Sequence, residues 1–79
     1  MLFSVNLVYY TEENVPECGK TIFVQSNEDI TKMPTHLLKE NVFIAEAMEA
    51  NDCEGIGYIT EISEEEFKEE YPGEELIIL

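Results

Sequence analysis

The sequence predicts a small α+β fold: a mainly antiparallel, four-stranded sheet in the element order β-β-α-β-α-β. Three observations support this class. Two stretches alternate apolar and polar residues with the period of half-buried strands, a central stretch has apolar residues at helical spacing, and an acidic stretch carries a helix-capping motif. Its 79 residues correspond in length to one domain, residues 1–79.

Two strands are predicted in the first third of the chain. Residues 20–26 (KTIFVQS) are rich in the β-branched and aromatic residues that favour strands. Residues 11–19 (TEENVPECG) contain Asn, Pro and Gly and are expected to form a loop that still allows antiparallel pairing. In the strand before this loop, four large side chains occupy alternate positions and share one face: Phe3, Val5, Leu7 and Tyr9.

One main helix is predicted over Pro34–Ala50, packed on one face of the sheet. Apolar side chains recur there at helical spacing and include Leu37, Ile44 and Met48. A proline is well tolerated in the first turn of a helix, and Asn41 is a favourable cap. The sequence therefore allows either one helix that starts at the proline or a helix that restarts after Asn41.

A short acidic helix after the third strand is the clearest local signal. Ser63 is a favoured N-cap, and Glu66 three residues later completes a capping box. Ile62 and Phe67 are placed to form the hydrophobic staple that often accompanies such a box. The proline and glycine after Tyr71 end this helix.

Two strands flank the acidic helix. Residues 56–62 alternate in polarity, and residues 76–79 form an apolar run that is typical of a strand covered on both faces. About a dozen residues join them, the lower limit for a parallel crossover, so these strands either pair in parallel or lie apart. The predicted core comprises Phe3, Val5, Leu7, Ile22, Val24, Ile44, Met48, Ile59, Phe67 and Ile77.

The charge of the chain restricts its partners. Eighteen acidic residues, 16 of them Glu, stand against four lysines and no arginine, which gives a net charge of −14. Nucleic acid and anionic membranes are poor partners, because both are bound through Lys and Arg. The lack of arginine also removes the usual clamp for phosphate or carboxylate substrates. A basic protein surface and a metal ion remain compatible with this charge.

No catalytic, cofactor or metal site is predicted, and the chain is not expected to be an enzyme. His36, the only histidine, has no evident nucleophile or second acid–base group beside it. The acidic residues around Asp52 lack the pattern of a calcium loop. Cys18 and Cys53 lack metal spacing, and the carboxylates that flank Cys53 reduce the nucleophilicity of its thiol.

The expected compartment is the cytoplasm. The apolar start of the chain is interrupted by polar residues and has no basic residue ahead of it, unlike a signal peptide. No apolar run approaches the length of about 18 residues that spans a membrane. Both cysteines are then expected to be reduced, with a Cys18–Cys53 disulfide as the alternative.

The acidic stretch 61–75 (EISEEEFKEEYPGEE) has two interpretations. Runs of charge usually form a solvated helix face. A solvated face normally mixes both signs, however, whereas the pairs Glu65/Glu69 and Glu66/Glu70 are like-charged at i,i+4. A sequence that accepts this repulsion is consistent with a helix that uses its negative field to bind a partner.

The leading functional hypothesis is a small acidic binding or inhibitor protein that occupies a basic surface of a partner protein. A nucleic-acid-binding surface, which the chain would occupy as a DNA mimic, is one such surface. A folded chain of this length is about 30 Å across, and DNA carries about 18 charges over that span, which is the order of the net −14. Small stand-alone inhibitors that phages and other mobile elements encode are similar in size and charge. The predicted partner-binding residues are Glu61, Glu64, Glu65, Glu66, Glu69, Glu70 and Tyr71.

The second hypothesis is a structural or assembly module. It would form a homodimer or larger oligomer through an exposed sheet edge or through the apolar strand Leu76–Leu79. The two hypotheses differ in their salt dependence, because an electrostatic interface weakens as salt is added and an apolar one does not.

Overall fold

A computed structural model describes all residues from 1 to 79. None of its helices has the length and apolar character needed to cross a membrane. A single turn of 3-10 helix at Ile30–Lys32 precedes the first α-helix. The remaining elements, in chain order, are β1 (Leu2–Tyr10), β2 (Pro16–Gln25), α1 (Thr35–Lys39), α2 (Val42–Ala50), β3 (Gly55–Ile62), α3 (Glu64–Glu70) and β4 (Leu76–Ile78).

The four strands form one mixed sheet in the order β3-β1-β2-β4. β1 pairs antiparallel with both β2 and β3, whereas β2 and β4 pair in parallel. The α+β class is confirmed, and the prediction of a mainly antiparallel sheet is corrected to a mixed one. The strands β3 and β4, whose pairing was left open, lie at opposite edges.

Helices cover both faces of this sheet. The chain crosses from β2 to β3 through α1 and α2, and then returns from β3 to β4 through α3. Two crossovers that run in opposite directions along a sheet and share the usual right-handed sense place their helices on opposite faces. α1 and α2 pack on what we call the first face, which carries Ile22 and Val24, and α3 packs on the second face, which carries Phe23.

The main core lies between the first face and the two helices α1 and α2. Most of the predicted core residues belong to it, and Ile59 and Ile77 pack against it half-buried. Phe67 is also half-buried but lies on the second face. The buried cluster comprises Phe3, Val5, Leu7, Ile22, Val24, Ile30, Leu38, Ile44, Met48 and Cys53.

The predicted main helix is divided into two helices at Asn41. The side-chain Oδ1 of Asn41 accepts hydrogen bonds from the backbone N–H groups of Phe43 (2.9 Å) and Ile44 (3.1 Å). Its backbone is extended, with φ −68° and ψ 128°. Asn41 is therefore a true N-cap. Of the two alternatives that the sequence allowed, the restart after Asn41 is the one found.

β2 contains a bulge opposite the end of β1. Leu7 pairs with Lys20 and Val8 with Cys18, so that Gly19 is the extra residue of β2. A Cβ atom on Gly19 would lie 2.8 Å from the Cys53 Sγ and 3.1 Å from the Tyr9 ring. Beyond the bulge, Tyr9 is 38% exposed, whereas the three other residues of its predicted face are buried.

β4 is an exposed edge strand, and the prediction that it is covered on both faces is wrong. Leu76 and Ile77 are only half-buried, and Ile78 is 67% exposed. Its outer edge has no neighbouring strand. Because β4 lies at the edge of the sheet, the helices do not cover the end of this strand.

Candidate protein-binding surface

An aromatic cluster holds α3 on the second face of the sheet. The buried Phe23 ring contacts Phe67 with a centroid distance of 5.2 Å and an interplanar angle of 57°. It contacts Tyr71 at 4.6 Å and 43°. Tilted rings at these distances attract each other beyond the effect of burial alone. The cluster therefore determines which side of α3 faces the sheet.

The start of α3 is determined by the predicted cap. The Ser63 Oγ accepts a hydrogen bond from the Glu66 backbone N–H at 3.1 Å, and the Ser63 backbone is extended. This satisfies one of the free donors of the first turn. Glu64, Glu65 and Glu66 occupy that turn, where the helix dipole favours negative charge.

The carboxylates of α3 project mainly away from the sheet. Because Phe67 and Tyr71 face Phe23, helical geometry directs Glu65 and Glu69 most nearly outward. Glu66 and Glu70 lie on one flank of that outward side. All of the α3 glutamates are exposed except Glu66, which is half-buried beside the cap. We call Glu64, Glu65, Glu66, Glu69 and Glu70 the α3 carboxylates.

Glu61 is not brought together with the α3 carboxylates. It pairs with Phe3 across the β1–β3 ladder, and directly opposed residues of an antiparallel pair share a face. Its side chain therefore leaves the sheet on the first face, the one that carries α1 and α2. Only two residues separate Glu61 from α3 in the chain, yet their side chains lie on opposite sides of the sheet.

Tyr71 is part of the internal cluster that anchors α3. Its ring lies 4.6 Å from that of Phe23, and the residue is half-buried. The sequence suggested Tyr71 as an aromatic anchor for a partner. In the structure much of the ring is already occupied by contact with the sheet, so the charged residues form most of the surface that α3 presents.

Few lysines are available to neutralise the negative charge of this surface. Lys68 is the only cation of α3 and is exposed. The only lysine ammonium with a hydrogen bond is that of Lys39, whose acceptor is the backbone oxygen of Glu54 at 3.3 Å. The molecule measures 38 × 24 × 19 Å, and DNA carries about 11 charges over a length equal to the shortest dimension and about 22 over the longest. The net charge of −14 is therefore similar to that of a DNA segment of comparable size.

No protein-family model, curated protein or solved structure matches this chain. Its binding properties are therefore inferred from its own side chains. No group of three or more His, Cys, Asp or Glu residues is placed to hold a metal ion, and His36 is exposed in α1.

The two cysteines are free thiols in different surroundings. Cys18 is exposed on β2, where its Sγ lies 3.9 Å from the Thr21 hydroxyl. Cys53 is buried and donates a long hydrogen bond of 3.5 Å to the backbone oxygen of Asn51. Burial, with smaller effects from Cys18 and Asp52, raises the pKa of Cys53. Cys53 is therefore held as the neutral thiol.

A groove at the β2–β4 edge was not predicted from the sequence. It is an open groove of about 440 Å³ between α2, β2 and residues 73–77. Apolar side chains of Ile22, Ala47 and Ile77 are among those that line it. Its residues come from three separate parts of the chain, residues 20–22, 43–51 and 73–77, and no short-range sequence pattern relates segments that far apart.

Proposed function

We propose that this protein is an acidic inhibitor that occupies a basic surface of a partner protein and competes there with nucleic acid. The observation that carries this proposal is the arrangement of α3. One side of the helix is held on the sheet by Phe23, while Glu65 and Glu69 project outward with Glu66 and Glu70 on their flank, and Lys68 is the only lysine of the helix. An array of like charges on one helix complements a surface that binds a phosphate backbone.

The α3 carboxylates lower the stability of their own helix, and this cost is explained if they bind a partner. Glu65/Glu69 and Glu66/Glu70 are like-charged pairs at i,i+4, each of which destabilises a helix by about 0.2–0.5 kcal/mol. A solvated helix gains nothing from this arrangement. A helix that attracts a basic partner gains in association rate, and the gain decreases as salt screens the field.

The test begins with a pull-down of partner proteins from a host lysate at low salt. The recovered partner is then titrated with a variant in which Glu65, Glu66, Glu69 and Glu70 are changed to Gln. Glutamine retains helix propensity and shape, so the fold should be kept while four charges are lost. Affinity should fall by more than about tenfold, which is about 1.4 kcal/mol, and added salt should weaken the parent more than the variant.

A matched control removes the same charge elsewhere. Glu28, Glu40, Glu49 and Glu54 are exposed and lie outside both α3 and β2, and their change to Gln removes the same number of charges. Surface charges separated by more than the Debye length, about 10 Å at 0.1 M salt, are largely screened from each other. The control should therefore bind nearly as well as the parent. Equal losses in the two variants would show that only net charge matters and would contradict a role for α3.

The β3 edge favours a second candidate, an assembly module that forms a homodimer. β3 has eight residues and no neighbour on its outer side. Its segment 56–60 contains neither charge nor proline, and Tyr58 is 82% exposed. Unprotected edges of this kind pair with other chains. Sedimentation would then show a change from the monomer mass to the dimer mass as the concentration rises. The Tyr58→Lys variant would stay monomeric. Added salt would strengthen the dimer by screening the repulsion between the two chains.

A further inference from the structure

We infer that the groove between α2 and the open edge of β2 receives an extended, basic segment of the partner protein, with an aliphatic side chain seated in the groove. This inference rests on the proposed function and specifies the chemistry of one part of the partner. It concerns a surface formed mainly on the first face of the sheet and at its edge, whereas the α3 carboxylates lie on the second face.

The edge of β2 can accept an additional strand. β2 has ten residues, but β4 pairs only with Phe23, Val24 and Gln25. The preceding part of β2, residues 16–22, therefore has a strand neighbour on the β1 side alone. Main-chain donors and acceptors on its outer side are available to an extended peptide, which is the usual mode of strand addition to a sheet edge. Lys20, Thr21 and Ile22 in this open part also line the groove.

The groove beside that edge has the size and lining of a side-chain site. Its volume of about 440 Å³ lies within the usual range for binding pockets, about 300–1,000 Å³. The small side chains of Ala47 and Ala50 leave the space open, and Phe43, which is 58% exposed, forms an apolar wall. An aliphatic side chain from a peptide on the β2 edge would bury both its own surface and that of Phe43.

The charge at the rim of the groove determines which residues flank the aliphatic side chain in the bound segment. Glu46 stands on the α2 side, and Glu74 and Glu75 stand on the β4 side, against Lys20 as the only base of the lining. Carboxylates on both sides favour lysine or arginine on either flank of the aliphatic residue. A second copy of this chain would bring a further charge of −14 to a rim that is already negative, so a basic segment of another protein fits better.

The experiment uses a synthetic peptide that alternates Lys and Val, and a second peptide of equal length and charge that alternates Lys and Ser. Each is titrated into ¹⁵N-labelled protein. The Lys-Val peptide should shift the amide signals of residues 20–22, 46–51 and 73–77. The Lys-Ser peptide should bind at least about fivefold more weakly, because it lacks the aliphatic side chain that the groove buries.

Two pairs of variants locate the binding. Ala50→Phe fills the groove, and Ala45→Phe places the same ring at an exposed position of α2 outside the lining. The first should weaken Lys-Val peptide binding about tenfold and the second should leave it unchanged. Changing Glu74 and Glu75 to Gln should weaken it several-fold, whereas the same change at Glu54 and Glu61, beside and within β3 at the opposite edge of the sheet, should have less than about a twofold effect.

Several results would overturn the inference: equal affinity for the two peptides, equal effects of the two phenylalanine variants, or a dimeric mass together with self-induced shifts at the groove. Repeating the titration with the recovered partner separates the two proposals. If Ala50→Phe binds the partner as the parent does while the α3 glutamine variant does not, the groove inference is wrong and the proposed function stands. If the α3 variant binds as the parent does, the proposed function is wrong.

Discussion

Truncation of Phe67 to Ala should loosen α3 from the second face of the sheet. Full burial of a phenylalanine contributes about 1.5–3 kcal/mol. Phe67 is mostly but not fully buried, so about 1–2.5 kcal/mol of that is lost. Loss of the tilted contact with Phe23, at 5.2 Å between centroids, adds about 0.5–1.5 kcal/mol. The expected decrease in the free energy of unfolding is therefore about 1.5–4 kcal/mol, against a total of about 4–12 kcal/mol for a chain of this length.

A double-mutant cycle isolates the ring contact from burial. Phe23→Leu, Phe67→Leu and the double variant are unfolded in urea and followed by far-UV circular dichroism. The coupling energy should be about 0.5–1.5 kcal/mol, since leucine keeps most of the volume but removes the ring pair. Val42→Ala, at an exposed position of α2, serves as a control and should change stability by less than about 0.5 kcal/mol. Additive effects within about 0.3 kcal/mol would refute the role of the aromatic cluster.

Three further predictions concern the cap, the charge and the buried thiol. Ser63→Ala should lower the free energy of unfolding by about 0.5–2 kcal/mol because the Glu66 N–H loses its acceptor, and an unchanged urea midpoint would contradict this. Moderate NaCl should raise the Tm by screening repulsion among the carboxylates, so a lower Tm would be the contrary result. Iodoacetamide should modify Cys18 in the native protein but Cys53 only on unfolding. Because burial raises the pKa of Cys53 in the folded protein, the unfolded chain loses that proton first, and stability should decline as the pH rises above about 8.5. Urea titrations should show a shallower decline for Cys53→Ala.

Elements defined by short-range signals could be predicted from the sequence. The Ser63 cap forms as expected, because the capping serine and its donor lie within one helical turn. The alternation of Phe3, Val5 and Leu7 predicted one buried face correctly, because side chains of a strand alternate regardless of its neighbours. The break at Asn41 was recognised as one of two alternatives, since propensity alone is too weak to choose between a continuous helix and a restart.

The candidate surface was only partly predictable. The glutamates of the second helix were identified because charge and helical spacing are both visible in the chain. The sequence could not show that the Glu61 side chain lies on the face of the sheet opposite to α3, or that Tyr71 packs against Phe23. Both facts depend on which face α3 covers, and this in turn depends on the direction in which the chain crosses the sheet.

The sequence by itself determined the α+β class, the presence of four strands, the start of α3 and the net charge, all of which follow from composition or from residues a few positions apart. It placed residues 16–19 in a loop, whereas they begin β2. Only the tertiary structure decided the order β3-β1-β2-β4, the parallel pairing of β4, the burial of Cys53 and the groove beside β2. The physical reason is that crossover handedness and the packing of apolar faces act between segments tens of residues apart. The apolar residues of a strand do not show whether it is central or at an edge, because their contribution depends on the neighbours against which they pack. Leu76–Ile78 therefore resembled a covered strand until its neighbours were known.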